Sequence, residues 1–272
     1  MRILFIGDIM GRAGREALET YLPELKRDLE PDVVIVNGEN AAHGKGITEK
    51  ICTQFYDLGV DCITSGNHIW DQREIIPYIA RDARLLRPDN FPKGTPGSGV
   101  LRLELQDGRV IVIVNLMARL FMDALDDPFA KLEEIAAENR LGQTCQALFV
   151  DFHGETTSEK YSLGHHFDSR VSAVIGTHTH APTADAHIMS GGTAYMSDAG
   201  MSGDYDSVIG VRKDIAIHRF VRKMPGEPLI PASENKTLCG VFIVTNDNTG
   251  RAVSIEPVRL GDTLSNVRPK PA

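Results

Sequence analysis

The sequence predicts an α/β protein of the α+β type, with two packed mixed β-sheets flanked by helices, and three observations carry that expectation. Short Val/Ile/Leu-rich runs with little polar alternation read as strands buried on both faces. Amphipathic stretches separate the first three runs, giving a βαβαβ beginning. Two further pairs of apolar segments meet at turn residues and read as hairpins, so parallel and antiparallel pairing mix.

The first three runs are "RILFIGD" (2–8), "DVVIVNGE" (32–39) and "DCITSGN" (61–67). A helix is expected over 12–29, with Pro23 kinking or restarting it. A second is expected over 48–58, with Thr48 as N-cap and Gly59 as the stop. "RPDNFPKGTPGSG" (87–99) is loop, and "LRLELQDGRVIVIV" (101–114) is a hairpin turning at Asp107-Gly108. The remaining strands are "RVIVIVNL" (109–116), "ALFVDFHG" (147–154) and "SAVIGTH" (172–178), and the segment 238–260 closes the chain with another hairpin. No repeat, low-complexity tract or linker divides it, so residues 1–272 are expected to form a single domain.

Composition narrows the function. With 42% hydrophobic and 24% charged residues in 272, the chain has a globular composition and length enough for a substantial core. Its 29 basic and 37 acidic residues give a formal charge of −8, which opposes stable binding to long nucleic acid or anionic membrane. No apolar run approaches the roughly 18 residues of a membrane span. "ILFI" meets Gly7-Asp8 too soon for a signal-peptide core, and a cytoplasmic protein is expected. Cys52, Cys62, Cys145 and Cys239 have no CxxC spacing and read as small buried hydrophobes.

What stands at the strand ends is more informative. Five of the six runs finish in metal-competent residues: Asp8; Glu39 with Asn40; Asn67 with His68; His153; and His178 with His180. Any one alone is a turn former, a solvated end or a satisfied histidine. Together, at the carboxyl ends of strands that meet along one crevice, they form a candidate site. The two histidines of "THTH" are i and i+2 on a strand, so both imidazoles face one side. The donor set of carboxylate, amide and imidazole suits iron, manganese, magnesium or zinc and excludes a thiolate zinc site. So many donors exceed what one ion needs, whereas a two-metal site, its ions roughly 3.5 to 4 Å apart, would use them.

These blocks resemble the calcineurin-like metallophosphoesterases: "GD" at 7–8, "NGEN" at 37–40, "GNH" at 66–68, an isolated His153 and "THTH" at 177–180. "FIGDIMGRAGR", "NGENAAHGKGIT", "RPDNFPKGTPG", "DFHGETTSEK" and "GTHTHAPTAD" are similar to the bacterial branch whose members hydrolyse 2′,3′-cyclic nucleotides. The resemblance implies a metallophosphoesterase-like four-layer sandwich and a dinuclear site, with iron foremost as the metal. It also implies a small phosphodiester substrate of the 2′,3′-cyclic AMP or GMP type and a homo-oligomeric assembly.

Two positions depart from the parent pattern. Met10 stands where parent enzymes have a histidine, and its thioether is a poor ligand for a hard cation. Glu39 stands where they have a bridging aspartate, followed by Asn40, whose carbonyl can take the vacated position. Carried over residue by residue, the resemblance implies one metal on Asp8, Glu39, Asn40 and His180 and a second on Glu39, Asn67, His153 and His178. It leaves His68, beside its neighbour's ligand position, as the proton donor to the leaving group of a hydroxide attack. His43, Lys45 and Arg119 are candidate phosphate contacts, with a polar surface loop and a buried ion pair as the plainer readings. A phosphomonoesterase or nuclease, and a metal-binding regulatory protein with little turnover, are the alternatives. No nucleic-acid partner and no membrane partner are expected.

Overall fold

The computed structural model describes residues 1–270. The chain runs through β1 (Arg2–Ile6), α1 (Gly11–Leu29), β2 (Val33–Asn37), α2 (Glu49–Asp57), β3 (Cys62–Thr64) and α3 (Ile75–Ile79). Then follow β4 (Val100–Glu104), β5 (Val110–Met117), α4 (Pro128–Glu138), β6 (Ala147–His153), α5 (Thr157–His166) and β7 (Ala173–Thr177). The last elements are β8 (His187–Ile188), β9 (Ala194–Met196), α6 (Lys213–Arg222), β10 (Thr237–Thr245) and β11 (Ala252–Gly261).

Two mixed sheets result, in the orders β11-β10-β1-β2-β3 and β4-β5-β6-β7-β9-β8. In the first, β1, β2 and β3 are parallel, while β10 lies antiparallel to β1 with Arg2 opposite Val244. In the second, β5, β6, β7 and β9 are parallel and β4 and β8 cap the edges antiparallel.

Strand alternation explains the layers, because neighbouring residues face opposite sides of a sheet. Ile3, Phe5, Val33 and Ile35 point to the core between the sheets, where they meet Ile111, Ile113, Phe149 and Ile175. Phe5 and Phe149 touch across this seam with ring centroids 5.1 Å apart. The intervening Leu4, Ile6, Val34 and Val36 point outward, onto Leu18, Leu22 and Leu25 of α1 and Phe55 of α2. On the far side, Val112, Val114, Leu148 and Val150 pack against Leu132 of α4 and Leu163 of α5. Both faces of each sheet are therefore dry, which is why its central strands read as continuous apolar runs, and the architecture is the expected four-layer sandwich.

Local expectations hold with two qualifications. Thr48 caps α2, accepting from the Ile51 amide at 3.4 Å, and Gly59 follows that helix with φ +84°. The turn after β4 places Gly108 at φ +82°, as a tight hairpin requires. Helix α1, however, is not restarted at Pro23, which lies inside one 19-residue helix. Pro23 and Glu19, whose carbonyl loses its partner, are both on the exposed side, where water replaces the missing bond. The stretch 179–236 also carries β8, β9 and α6, which the apolar patterning does not announce. All four cysteines are buried and free. No helix among the described residues is long and apolar enough to cross a membrane.

Candidate metal centre

The parallel strands of both sheets end on one edge of the sandwich, and the seven candidate ligands gather there. The first sheet supplies Asp8 after β1, Glu39 and Asn40 after β2, and Asn67 after β3. The second supplies His153 as the last residue of β6, and His178 and His180 just beyond β7. Glu39, His153 and His178 place donor atoms within 4.8 Å of one another. His153 Nε2 lies 3.2 Å from Glu39 Oε2, 2.9 Å from Asn67 Oδ1 and 3.1 Å from His178 Nδ1. Beside this group, His180 Nε2 lies 3.2 Å from Asn40 Oδ1 and 3.9 Å from Asp8 Oδ2. The Asn40 amide nitrogen donates to the Gly44 carbonyl, which turns its oxygen toward His180.

Gly66 makes this closeness possible, since a Cβ there would overlap both Glu39 Oε2 and His153 Nε2. His178 and His180 have φ of +101° and +65°, a region that non-glycine residues rarely occupy and that recurs at functional sites.

The electrostatics fit a cation. Burial, reinforced by Glu39 and Asp198, pushes the Asp8 carboxyl well up, and its Oδ1 is buried without a hydrogen-bond partner. Burial likewise lifts Glu39 to about 8, with Asp151 and Asp71 adding to the rise against the His68 amide, which donates to its carboxylate. Burial holds His153 well below the usual imidazole range and lowers His178 and His180. The lowered imidazoles favour their neutral form, which keeps a ring lone pair free on each. Acids that resist ionisation, neutral imidazoles and an orphaned carboxylate oxygen are what a site completed by positive charge presents.

The family model described as YmdB-like protein matches residues 4–258. The chain belongs to the YmdB-like family. It is 46% identical over 262 residues, 96% of this chain and 98% of the relative, to a Bacillus subtilis (strain 168) protein named 2′,3′-cyclic-nucleotide 2′-phosphodiesterase. A Thermus thermophilus protein of known crystal structure is 40% identical with a TM-score of 0.89, covering 96% of this chain and 100% of that one. A Mycoplasma pneumoniae protein described as a novel phosphatase is 34% identical with a TM-score of 0.88, covering 96% and 93% of the two chains. The family is of metallophosphoesterase type, and the fold is that of these relatives.

In this YmdB-like chain the other candidates divide. His68, Asn40, His43 and Lys45 line a cavity of about 740 Å³ that opens over the ligands. Arg119 does not line it. Its backbone amide and that of Leu120 donate to the Glu159 carboxylate at 2.9 and 3.0 Å, which turns the guanidinium outward to Asp127 at 3.6 Å. The plainer reading of Arg119 as a buried ion pair is also corrected, because that pair is exposed on both sides.

Several supporting residues escape the sequence reading. Asp71 Oδ2 holds His68 Nδ1 at 3.0 Å, one helical turn on in sequence. Glu155, two residues past His153, places Oε2 3.2 Å from His178 Nε2, leaving Nδ1 toward the other ligands. His153 Nδ1 bonds to Thr177 Oγ1 at 2.9 Å, and that hydroxyl donates to Asp151 at 2.7 Å. Such partners fix the ring orientation of a ligating histidine. The i+3 carboxylate of Asp71 was within reach of a spacing argument; Glu155 and the other long-range partners had no local signal.

Proposed function

We propose that the protein, as one domain, hydrolyses small phosphodiesters with two metal ions, 2′,3′-cyclic nucleotides foremost. That it is a metal-dependent phosphoester hydrolase follows from its family and from relatives named phosphodiesterase and phosphatase. One observation carries the finer reading: acid and amide donors from one sheet face imidazoles from the other at the floor of a cavity that also holds His68 on Asp71. Asp8, Glu39, Asn40 and His180 would hold one ion, and Glu39, Asn67, His153 and His178 the other. Ions there supply a water acidified toward neutral pH and positive charge for the phosphoryl oxygens. The donor set suits iron, manganese, magnesium or zinc, and the family resemblance puts iron foremost.

The chain's own residues complete the chemistry. As water oxygen bonds to phosphorus and the P–O2′ bond breaks, the leaving alkoxide needs a proton. Asp71 occupies Nδ1 of His68 and orients the ring, so Nε2 delivers that proton. Lys45 and His43 line the cavity and would meet phosphate oxygens. A cavity of about 740 Å³ suits a mononucleotide, and the −8 charge disfavours long polymers. We further place the protein in the cytoplasm as a homo-oligomer, an assembly supported by the exposed apolar residues Phe220, Val221 and Met224 on and just after α6. Metal analysis of purified protein, with a turnover screen over cyclic, linear and monoester phosphates, tests the reading. Preferred monoesters or oligonucleotides, or metal without turnover, would overturn it.

A further inference from the structure

The cavity has a second wall that the phosphoryl chemistry does not use. Beside the ligand His180 it is formed by Met10, Ile209, Val211, Leu229 and Pro231, all apolar. Ile209 is 61% exposed and Leu229 is 41% exposed, although both border a cavity whose other side is polar.

Ile209 is held there against its own preference. Val208 and Val211 exchange backbone hydrogen bonds at 2.9 and 3.0 Å, closing a two-residue turn over Ile209 and Gly210. Both central residues have positive φ, +46° and +93°, the pattern of a type I′ turn. That turn favours Asn-Gly, and a β-branched residue in its first position is a conformational outlier. Gly210 is demanded by packing as well, since a Cβ would overlap Met10 Cγ. The Ile209 carbonyl accepts from His180 Nδ1 at 2.9 Å, so the turn that raises the apolar wall also orients a ligand histidine. A strained apolar side chain kept exposed beside a ligand-binding cavity points to function.

We propose that this wall is the nucleobase subsite. The inference rests on the phosphodiesterase reading: with the phosphate on the ligand side, the base of a nucleotide lies against Ile209, Val211 and Leu229. The Ile209 carbonyl is already engaged by His180, and the wall's side chains offer no hydrogen-bonding group. The subsite therefore takes a base by the area of its face and not by its polar edge. Met10 serves here as part of the shelf, which gives the residue that displaced a histidine ligand a role of its own.

The test compares 2′,3′-cyclic AMP with methyl β-ribofuranoside 2′,3′-cyclic phosphate, which has the same reacting group and no base. In the metal-loaded wild type, kcat/KM should favour the nucleotide by about tenfold or more, as burial of one base face implies. Ile209→Asn installs the residue the turn prefers and keeps the carbonyl for His180, so the variant should unfold at an equal or higher temperature. Its nucleotide-to-abasic ratio should nevertheless fall several-fold. Saturation-transfer NMR with adenosine gives a readout free of turnover: signal on the adenine protons should weaken several-fold in the variant. Equal rates on the two compounds in wild type, or an unchanged ratio and unchanged saturation transfer in Ile209→Asn, would overturn the subsite while leaving the phosphodiesterase reading standing. No turnover of either compound would overturn both.

Discussion

Lys160 and Asp198, each 1% exposed, form an ion pair at 3.0 Å directly behind the loop that carries His178 and His180. Lys160 Nζ also donates to the Thr177 carbonyl at 2.8 Å, and Asp198 accepts from the amide and hydroxyl of Thr179 at 2.9 and 2.8 Å. The pair thus grips the chain on both sides of His178.

Removing one partner strands the other charge in a dry interior, which typically costs about 3–5 kcal/mol. Lys160→Met should destabilise by roughly that amount in urea unfolding and weaken metal retention. Lys160→Met with Asp198→Asn should recover a large part of the stability but not the metal. A loss below about 1 kcal/mol in the single variant would show that the pair does not hold the loop.

In the proposed two-metal arrangement Glu39 is the one residue shared by both ions. Glu39→Ala should therefore deplete both, and Asn40→Ala chiefly the ion shared with Asp8 and His180. Metal per chain, measured by elemental analysis, checks this, and full occupancy in Glu39→Ala would remove its bridging role.

His68 is tested through the leaving group. A ribose alkoxide must be protonated as it departs, while p-nitrophenolate leaves unaided. General acid catalysis contributes about 10²- to 10⁴-fold, so His68→Ala should lower kcat on the cyclic nucleotide by that factor and spare most turnover of a p-nitrophenyl diester. Metal content should not change. Asp71→Asn should show the same pattern more weakly. Equal slowing on both substrates would make His68 a phosphate-positioning residue.

At the opposite edge of the sandwich, Arg109 pairs with Asp32 at 2.6 Å, Asp107 at 2.7 Å and Asp247 at 3.3 Å. The Asp32 carboxyl sits below its ordinary range: burial opposes this, but hydrogen bonds from Arg109 and the Arg2 amide outweigh it. A depressed acid contributes stability that is complete above its unfolded value, near pH 4, and is lost as pH falls through the folded value. Arg109→Met should therefore cost about 1 kcal/mol or less at pH 7, given the exposure of these groups, and the gap to wild type should narrow as pH falls below the unfolded carboxylate value near 4. Urea unfolding at the two pH values measures it, and a gap that widens in acid would contradict the linkage.

Much of the centre could be read from the chain because ligand positions are tied to strand ends, and strands buried on both faces declare themselves as unbroken apolar runs. The strand argument for His178 and His180 fails in detail, because both lie just beyond β7 with positive φ and reach the centre from a loop, where strand alternation does not apply. What could not be read is whatever depends on a partner far along the chain. Asp198 and Lys160 meet across 38 residues, and His180 meets the Ile209 carbonyl across 29. Arg119 misled because a basic residue after a strand looks like a phosphate contact until the Glu159 carboxylate is seen to claim its backbone. Pro23 does not restart the helix, because it and the Glu19 carbonyl it leaves unpaired both face solvent, where the carbonyl can be hydrated.

The centre is assembled across the seam between the sheets, and that placement sets a timetable. Asp8, Glu39, Asn40 and Asn67 leave the ribosome before His153, His178 and His180, and neither set alone surrounds a cation. The first sheet is itself unfinished until β10, near the end of synthesis, slots in beside β1. Were the proposed ions bound, they would tie the two sheets together, so that release of metal and parting of the sheets would be linked.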